Sequence, residues 1–211
     1  MRIDVRHHMH PEAARNAGSA ELRRDFLVET LFVPGEVHLT YSHADRMVIG
    51  GAQPLGAALT LTAPAPFGVA DFLERRELAI VNIGGPALVS VAGAAHTLDR
   101  LDALYVGMGA GEVRLASADP ADPAKLYLVS APAHAAHPVR RVPWGGGRSF
   151  ERGTAGEGNM RTICQVIHPA VCASCQLTLG ITLLKPANFW NTMPTHTHDR
   201  RSEAYLYFDL P

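Results

Sequence analysis

Short apolar runs, each closed by glycine, proline or aspartate, recur along most of this chain and leave little room for any architecture but β-sheet. They lie at residues 37–41, 47–49, 79–83, 87–91, 103–106, 112–116, 125–129, 176–184 and 204–208. Strands need only about four to eight residues, whereas buried helices need about ten or more. Short runs with frequent turn residues read as a sandwich or barrel, not as alternating strand and helix. One helix signal stands apart, over Ser19–Phe26: Ser19 can cap it, and Glu21 and Asp25 are acidic. Gly84-Gly85-Pro86 and Ala92-Gly93-Ala94 read as turns between paired strands, because glycine accepts the positive φ that hairpins require.

The run from 132 to 157 differs, with Pro138, Pro143, Gly145-Gly146-Gly147, Gly153 and Gly156 and little apolar periodicity. The expected organisation is therefore a β domain over 1–131, a connector over 132–158 and a second β domain over 159–211. The second unit holds too few strands to close a barrel. Its last run, 204–208, would leave an open sheet edge. The expectation is that the second barrel is incomplete in this chain, or that another subunit covers it. The His-rich start, from Met1 to Glu12, is expected to fray.

Charge excludes some partners. A formal net charge of −1 gives no basic surplus for nucleic acid or an anionic membrane. No apolar run approaches the roughly 20 residues of a spanning helix, and no signal-peptide core opens the chain, so the expected location is the cytoplasm. Cys164, Cys172 and Cys175 cannot all pair, which suits a reducing compartment. Cys172 and Cys175 have redox or half-zinc spacing but no second pair, and they read as ordinary strand and loop residues.

Chemistry concentrates near the C-terminal end. His196 and His198 stand two apart, so a strand would put both on one face. Glu203 has the opposite parity, but residues 199–202 form a polar turn after which it can face the two imidazoles. Two histidines and a carboxylate suit zinc, and equally iron, nickel or copper. The same parity turns Tyr205 and Tyr207 inward as a pocket floor and puts Ala204, Leu206 and Phe208 on the other face. The pattern His-x-His-x(4)-Glu in a β context is the metal motif of the cupins.

The surrounding text, Trp190-Asn-Thr-Met-Pro-Thr-His-Thr-His-Asp-Arg-Arg-Ser-Glu-Ala-Tyr-Leu-Tyr-Phe208, closely resembles the 5-keto-4-deoxyuronate isomerases, or 4-deoxy-L-threo-5-hexosulose-uronate ketol-isomerases. So do Asp25-Phe-Leu-Val-Glu29, Tyr41-Ser-His-Ala-Asp-Arg46, Phe72-Leu-Glu-Arg-Arg-Glu-Leu78, Asn82-Ile-Gly-Gly85, Asp102-Ala-Leu-Tyr-Val-Gly107 and Ala131-Pro-Ala-His134. The resemblance implies an all-β tandem cupin, or bicupin, of barrels or jelly rolls, whose second barrel binds one zinc ion per chain. His196, His198 and Glu203 fall on three ligands, and a fourth, a histidine, lies beyond this chain. The first barrel, which lacks the motif, is expected to bind no metal. The family's homohexamer is the expected assembly. Ala187 departs from the family's glycine, at a small expected backbone cost.

The resemblance further implies interconversion of 5-dehydro-4-deoxy-D-glucuronate and 3-deoxy-D-glycero-2,5-hexodiulosonate, in the breakdown of pectin-type uronates. A redox-inert metal suits such an aldose–ketose shift, by proton or by hydride transfer. The catalytic base is not identified: Tyr205 and Tyr207 are the candidate acid groups, with barrel lining as their plainer role. Arg200 and Arg201 are the candidates for the carboxylate of a small sugar acid, while Arg75-Arg76 and Arg140-Arg141 read as surface or interface pairs. Two alternatives stay open: an inactive or ligand-binding truncated cupin, and an iron-dependent cupin oxygenase.

Overall fold

The computed structural model describes residues 1–190 and 196–210. Strand β1 (Arg2–Arg6) is followed by helices α1 (Pro11–Asn16) and α2 (Ser19–Phe26). Strands β2 (Val37–Ser42), β3 (Val48–Ala52), β4 (Leu59–Leu61), β5 (Arg76–Asn82), β6 (Ala87–Val91) and β7 (Ala94–Leu98) come next. Then come β8 (Ala103–Val106), β9 (Val113–Ser117), β10 (Leu126–Pro132), β11 (Arg140–Val142), β12 (Arg148–Arg152), β13 (Arg161–Ile167) and β14 (Leu179–Leu184).

The pairing is nested. β3 pairs with β10, β4 with β9, β5 with β8 and β6 with β7, all antiparallel. Two further pairings, β10 with β5 and β9 with β6, join these into the sheets β3-β10-β5-β8 and β4-β9-β6-β7. Strands that pair first with last and second with second-last make a jelly roll, the double-sheet fold of the cupins. β2 and β1 extend the larger sheet past β3, and β11 extends it past β8. The start of the chain is therefore paired, with β1 parallel to β2, rather than frayed.

Local sequence explains the joints. Ala92 and Gly93 take φ of +47° and +85° between β6 and β7, the two positive values of a type I′ hairpin. Gly84-Gly85-Pro86 is not a hairpin, because it carries the chain from β5 in one sheet to β6 in the other. Glycine is required there by crowding: a Cβ on Gly85 would lie 2.1 Å from the Asp122 carbonyl oxygen. The helix forms where expected, but Gly18 rather than Ser19 is its N-cap, and the Gly18 N–H donates to Glu21 at 2.9 Å. Residues 132–158 contain β11 and β12, so that stretch is more ordered than its proline and glycine content suggests.

β5 is buried along its whole length. Its side chains alternate, and both faces are covered. Leu78 and Ile80 join Leu104, Val106, Leu126 and Leu128 inside the jelly roll. Ala79 and Val81 face the other way, with Tyr105, Tyr127 and Val129, and meet Val166, Ile167, Cys172, Leu177 and Ile181 from the second unit. The larger sheet is thus a shared wall. The second unit covers it with the open sheet β12-β13-β14 and with Leu206 and Phe208. No strand is assigned over 204–208, yet the expected alternation survives, since Tyr205 and Tyr207 are 58% and 68% exposed. No helix among the described residues is long and apolar enough to cross a membrane.

Glu77 fastens the two halves. Its side chain is fully buried. One carboxylate oxygen accepts the N–H groups of Gln176 and Leu177, each at 2.6 Å. The other accepts the Cys175 N–H at 2.7 Å and the Tyr105 hydroxyl at 2.6 Å. Burial and this bond to Glu77 push the Tyr105 pKa up, so the hydroxyl stays a donor. Glu77→Gln would aim an amide donor at donors already in place. We expect a loss of about 2–4 kcal/mol, read from urea unfolding; a loss below about 1 kcal/mol would refute the role given to this carboxylate.

Ala187 takes φ of +60°, in the left-handed region. Ala187→Gly should therefore stabilise the chain by about 0.5–1 kcal/mol. That corresponds to a Tm rise of about 1–4 °C by calorimetry, against no change or a fall if the strain is absent.

Candidate functional site

The candidate ligands lie in an irregular segment that crosses the shared wall. Residues 191–195, read with the motif, lie outside the described residues. His196 and His198 have ring centroids 4.8 Å apart in an edge-on arrangement. His198 Nε2 stands 3.6 Å from Glu203 Oε1. Two donors bound at about 2.0–2.1 Å to one tetrahedral zinc ion would lie about 3.3–3.4 Å apart. The donor types and the His198–Glu203 spacing therefore fit a divalent metal ion. Among the described residues, no group of three or more His, Cys, Asp or Glu side chains converges closely enough to hold one.

Glu203 has two further partners. Arg201 Nε donates to its Oε1 at 2.9 Å, and the Tyr205 hydroxyl donates to Oε2 at 3.1 Å. Partial burial works upward on the Glu203 pKa, but these two bonds and the Arg201 charge outweigh it and hold the carboxyl below its ordinary range. Burial and the Glu203 bond push Tyr205 up, so it stands protonated at neutral pH. Of the arginine pair, Arg201 is tied to the ligand carboxylate, and Arg200 is exposed. Tyr207 stacks on Tyr205 with centroids 6.5 Å apart. The tyrosines share the Glu203 side, as their parity implies, and both side chains are exposed among the described residues.

Residues that the motif did not point to hold this segment down. The Asp45 carboxylate, in the β2–β3 turn, accepts from the Ser202 N–H at 3.1 Å and from its hydroxyl at 2.6 Å. Arg100 grips both oxygens of Asp209, at 2.7 and 2.5 Å, and lies 6.0 Å from the Phe208 ring centroid. Neither contact follows from spacing along the chain. The one available signal was Asp45 inside the run Tyr41-Ser-His-Ala-Asp-Arg46. Elsewhere, His134 Nδ1 lies 3.4 Å from Cys175 Sγ, and His43 stacks on His7 at 4.1 Å, so both histidines have local partners.

Comparison with known proteins places the chain. The sequence profile of the KduI/IolB family matches residues 28–208. The 4-deoxy-L-threo-5-hexosulose-uronate ketol-isomerase of Shouchella clausii is 48% identical over 208 residues, which is 99% of this chain and 75% of that protein. The protein of the same name from Cereibacter sphaeroides is 48% identical over 99% of this chain and 74% of its own length. That from Kineococcus radiotolerans is 48% identical over 99% of this chain and 76% of its own. The chain thus spans about three quarters of the length of these curated relatives.

Asp45→Gly removes both bonds to Ser202, suits the φ of +50° at this position and leaves the jelly-roll core untouched. Amides over 196–210 should then exchange hydrogen about five- to tenfold faster, as loss of roughly 1–1.5 kcal/mol of local stability implies. The amides of β5 should be unchanged. Equal exchange over 196–210 in both proteins would show that Asp45 does not hold the segment.

Proposed function

The chain belongs to the KduI/IolB family, and on that premise we propose that it is a metal-dependent ketol-isomerase of 4-deoxy-L-threo-5-hexosulose uronate. The observation that carries this reading is identity of 48% with enzymes of that name over 99% of this chain. The neighbouring His196, His198 and Glu203 supply a donor set suited to the chemistry. The reaction moves a carbonyl between C1 and C2 while hydrogen moves the other way, with no net redox change.

His196, His198 and Glu203 are the residues that would hold zinc, which when bound can polarise a carbonyl oxygen and stabilise the developing oxyanion. The remaining roles follow from the side chains themselves. Arg201 and the Tyr205 hydroxyl orient the Glu203 carboxylate through its two oxygens. Arg200, exposed next to this group, offers its guanidinium to the substrate carboxylate, for which a planar fork is well matched. Tyr205 and Tyr207 offer hydroxyl groups on the same side, and Tyr205, kept protonated, is the better placed to donate a proton at the substrate's oxygens.

The test pairs metal content with activity. The purified chain, dialysed against zinc and then against buffer, should retain about one ion per chain and convert the uronate. His198→Ala should lose the ion and lower kcat/KM by at least about 100-fold. Retention of zinc in His198→Ala would remove the metal assignment. Conversion by a metal-free chain would remove metal dependence.

A further inference from the structure

Arg76 is buried to 6% exposure, although the pair Arg75-Arg76 reads from sequence as a surface or interface pair. It lies on the interior side of β5, in line with Leu78 and Ile80, at one end of the jelly roll. Its Nε donates to Ser130 Oγ at 3.0 Å, and its Nη2 donates to the carbonyl oxygens of Ser130 and Arg46 at 3.1 and 2.5 Å. Nη1 has no hydrogen-bond acceptor among the described residues. The guanidinium carbon lies 4.7 Å from the Phe67 ring centroid and 5.8 Å from that of Tyr41. No carboxylate pairs with Arg76 among the described residues, and the like charge of Arg46 works against its own. Burial pushes its pKa down to about 10, which leaves it fully charged at neutral pH.

A buried charge without a counter-charge is costly. Carbonyl dipoles and ring faces offset part of that cost here, and one edge of the fork stays open. Beside it is a depression of about 150 Å³ lined by Tyr41, Arg46, Phe67, Val69, Arg75, Arg76 and Pro132. Three arginines and two aromatic rings therefore converge on one small space. Glu74 lies 3.7 Å from Arg75 and does not line the depression. We propose that this end of the N-terminal jelly roll is an anion site that takes the oxyanion group, carboxylate or phosphate, of a small sugar acid or sugar phosphate. The guanidinium of Arg76 is its fixed anchor, Arg46 and Arg75 are the outer cations, and the Tyr41 and Phe67 rings meet the less polar face of the ligand. The site is separate from the arginine pair Arg200-Arg201 and does not depend on the isomerase reading.

The test is calorimetric titration of the whole chain with inorganic phosphate and, separately, with acetate as the bare carboxylate, at constant ionic strength. One saturable site per chain is expected, with the tighter of the two probes naming the preferred oxyanion. Arg46→Asn/Arg75→Gln removes two of the three cations; asparagine tolerates the φ of +53° at position 46, and the backbone carbonyl that holds Arg76 is retained. This variant should bind at least about tenfold more weakly, and Arg76→Met should not bind at all. Arg114→Gln, which removes an exposed arginine outside this depression, should bind as the parent does. Absence of saturable binding by either probe overturns the proposal. So does binding that survives Arg46→Asn/Arg75→Gln, or binding weakened as much in Arg114→Gln, which would show attraction to surface charge in general. Should Arg76→Met fail to fold, the double variant and Arg114→Gln still decide.

Discussion

Two opposite charges stand next to each other in β5 and never meet. Arg76 and Glu77 are both buried, and strand geometry sends them to opposite faces of the larger sheet. Each must therefore be stabilised by dipoles. Glu77 takes three consecutive backbone N–H groups, from residues 175 to 177, and a tyrosine hydroxyl. Because a buried carboxylate cannot lose such donors cheaply, the second unit's 175–177 turn has one place on the sheet where it can sit. Arg76, facing the interior, takes two carbonyls and a serine and leaves one edge of its fork open.

The candidate metal segment inherits its position from that docking. With the 175–177 turn fixed, β13 and β14 cover the outer face of the wall, and Leu206 and Phe208 close onto the same apolar cluster. Period-two alternation then puts Glu203, Tyr205 and Tyr207 on the far side, where His198 is found 3.6 Å from the carboxylate. The first unit also reaches across, through Asp45 to Ser202 and Arg100 to Asp209. The N-terminal jelly roll is thus the scaffold on which the C-terminal donors are presented, as well as the holder of a charged depression of its own.

Most of the strands were legible in the sequence because hydrophobic runs report burial, and nearly every strand of the jelly roll is buried on at least one face. The runs at 87–91 and 103–106 coincide with β6 and β8, and the helix with Ser19–Phe26. The nesting was not legible: nothing local distinguishes the Gly84-Gly85 crossover from the Ala92-Gly93 hairpin, since both use glycine, one for crowding and the other for φ. Arg76 was misread as surface because charge normally signals exposure, and its compensation comes from Ser130, 54 positions away. At the site, the closeness of His198 to Glu203 was legible from type and spacing, whereas Asp45 and Arg100 act through contacts 157 and 109 positions apart that no spacing rule can reach. The strand expected over 204–208 showed its alternation but no pairing, because alternation records which face is buried and says nothing of a hydrogen-bonded neighbour.

The most direct test of the central proposal, that the jelly-roll wall holds His196, His198 and Glu203 where a zinc ion can draw them into one group, is anomalous diffraction at the zinc absorption edge from crystals of the chain grown with zinc. The account predicts one dominant anomalous peak per chain, within about 2.0–2.2 Å of His196, His198 and Glu203 donor atoms. A dominant peak elsewhere, or none at these three side chains, would contradict it.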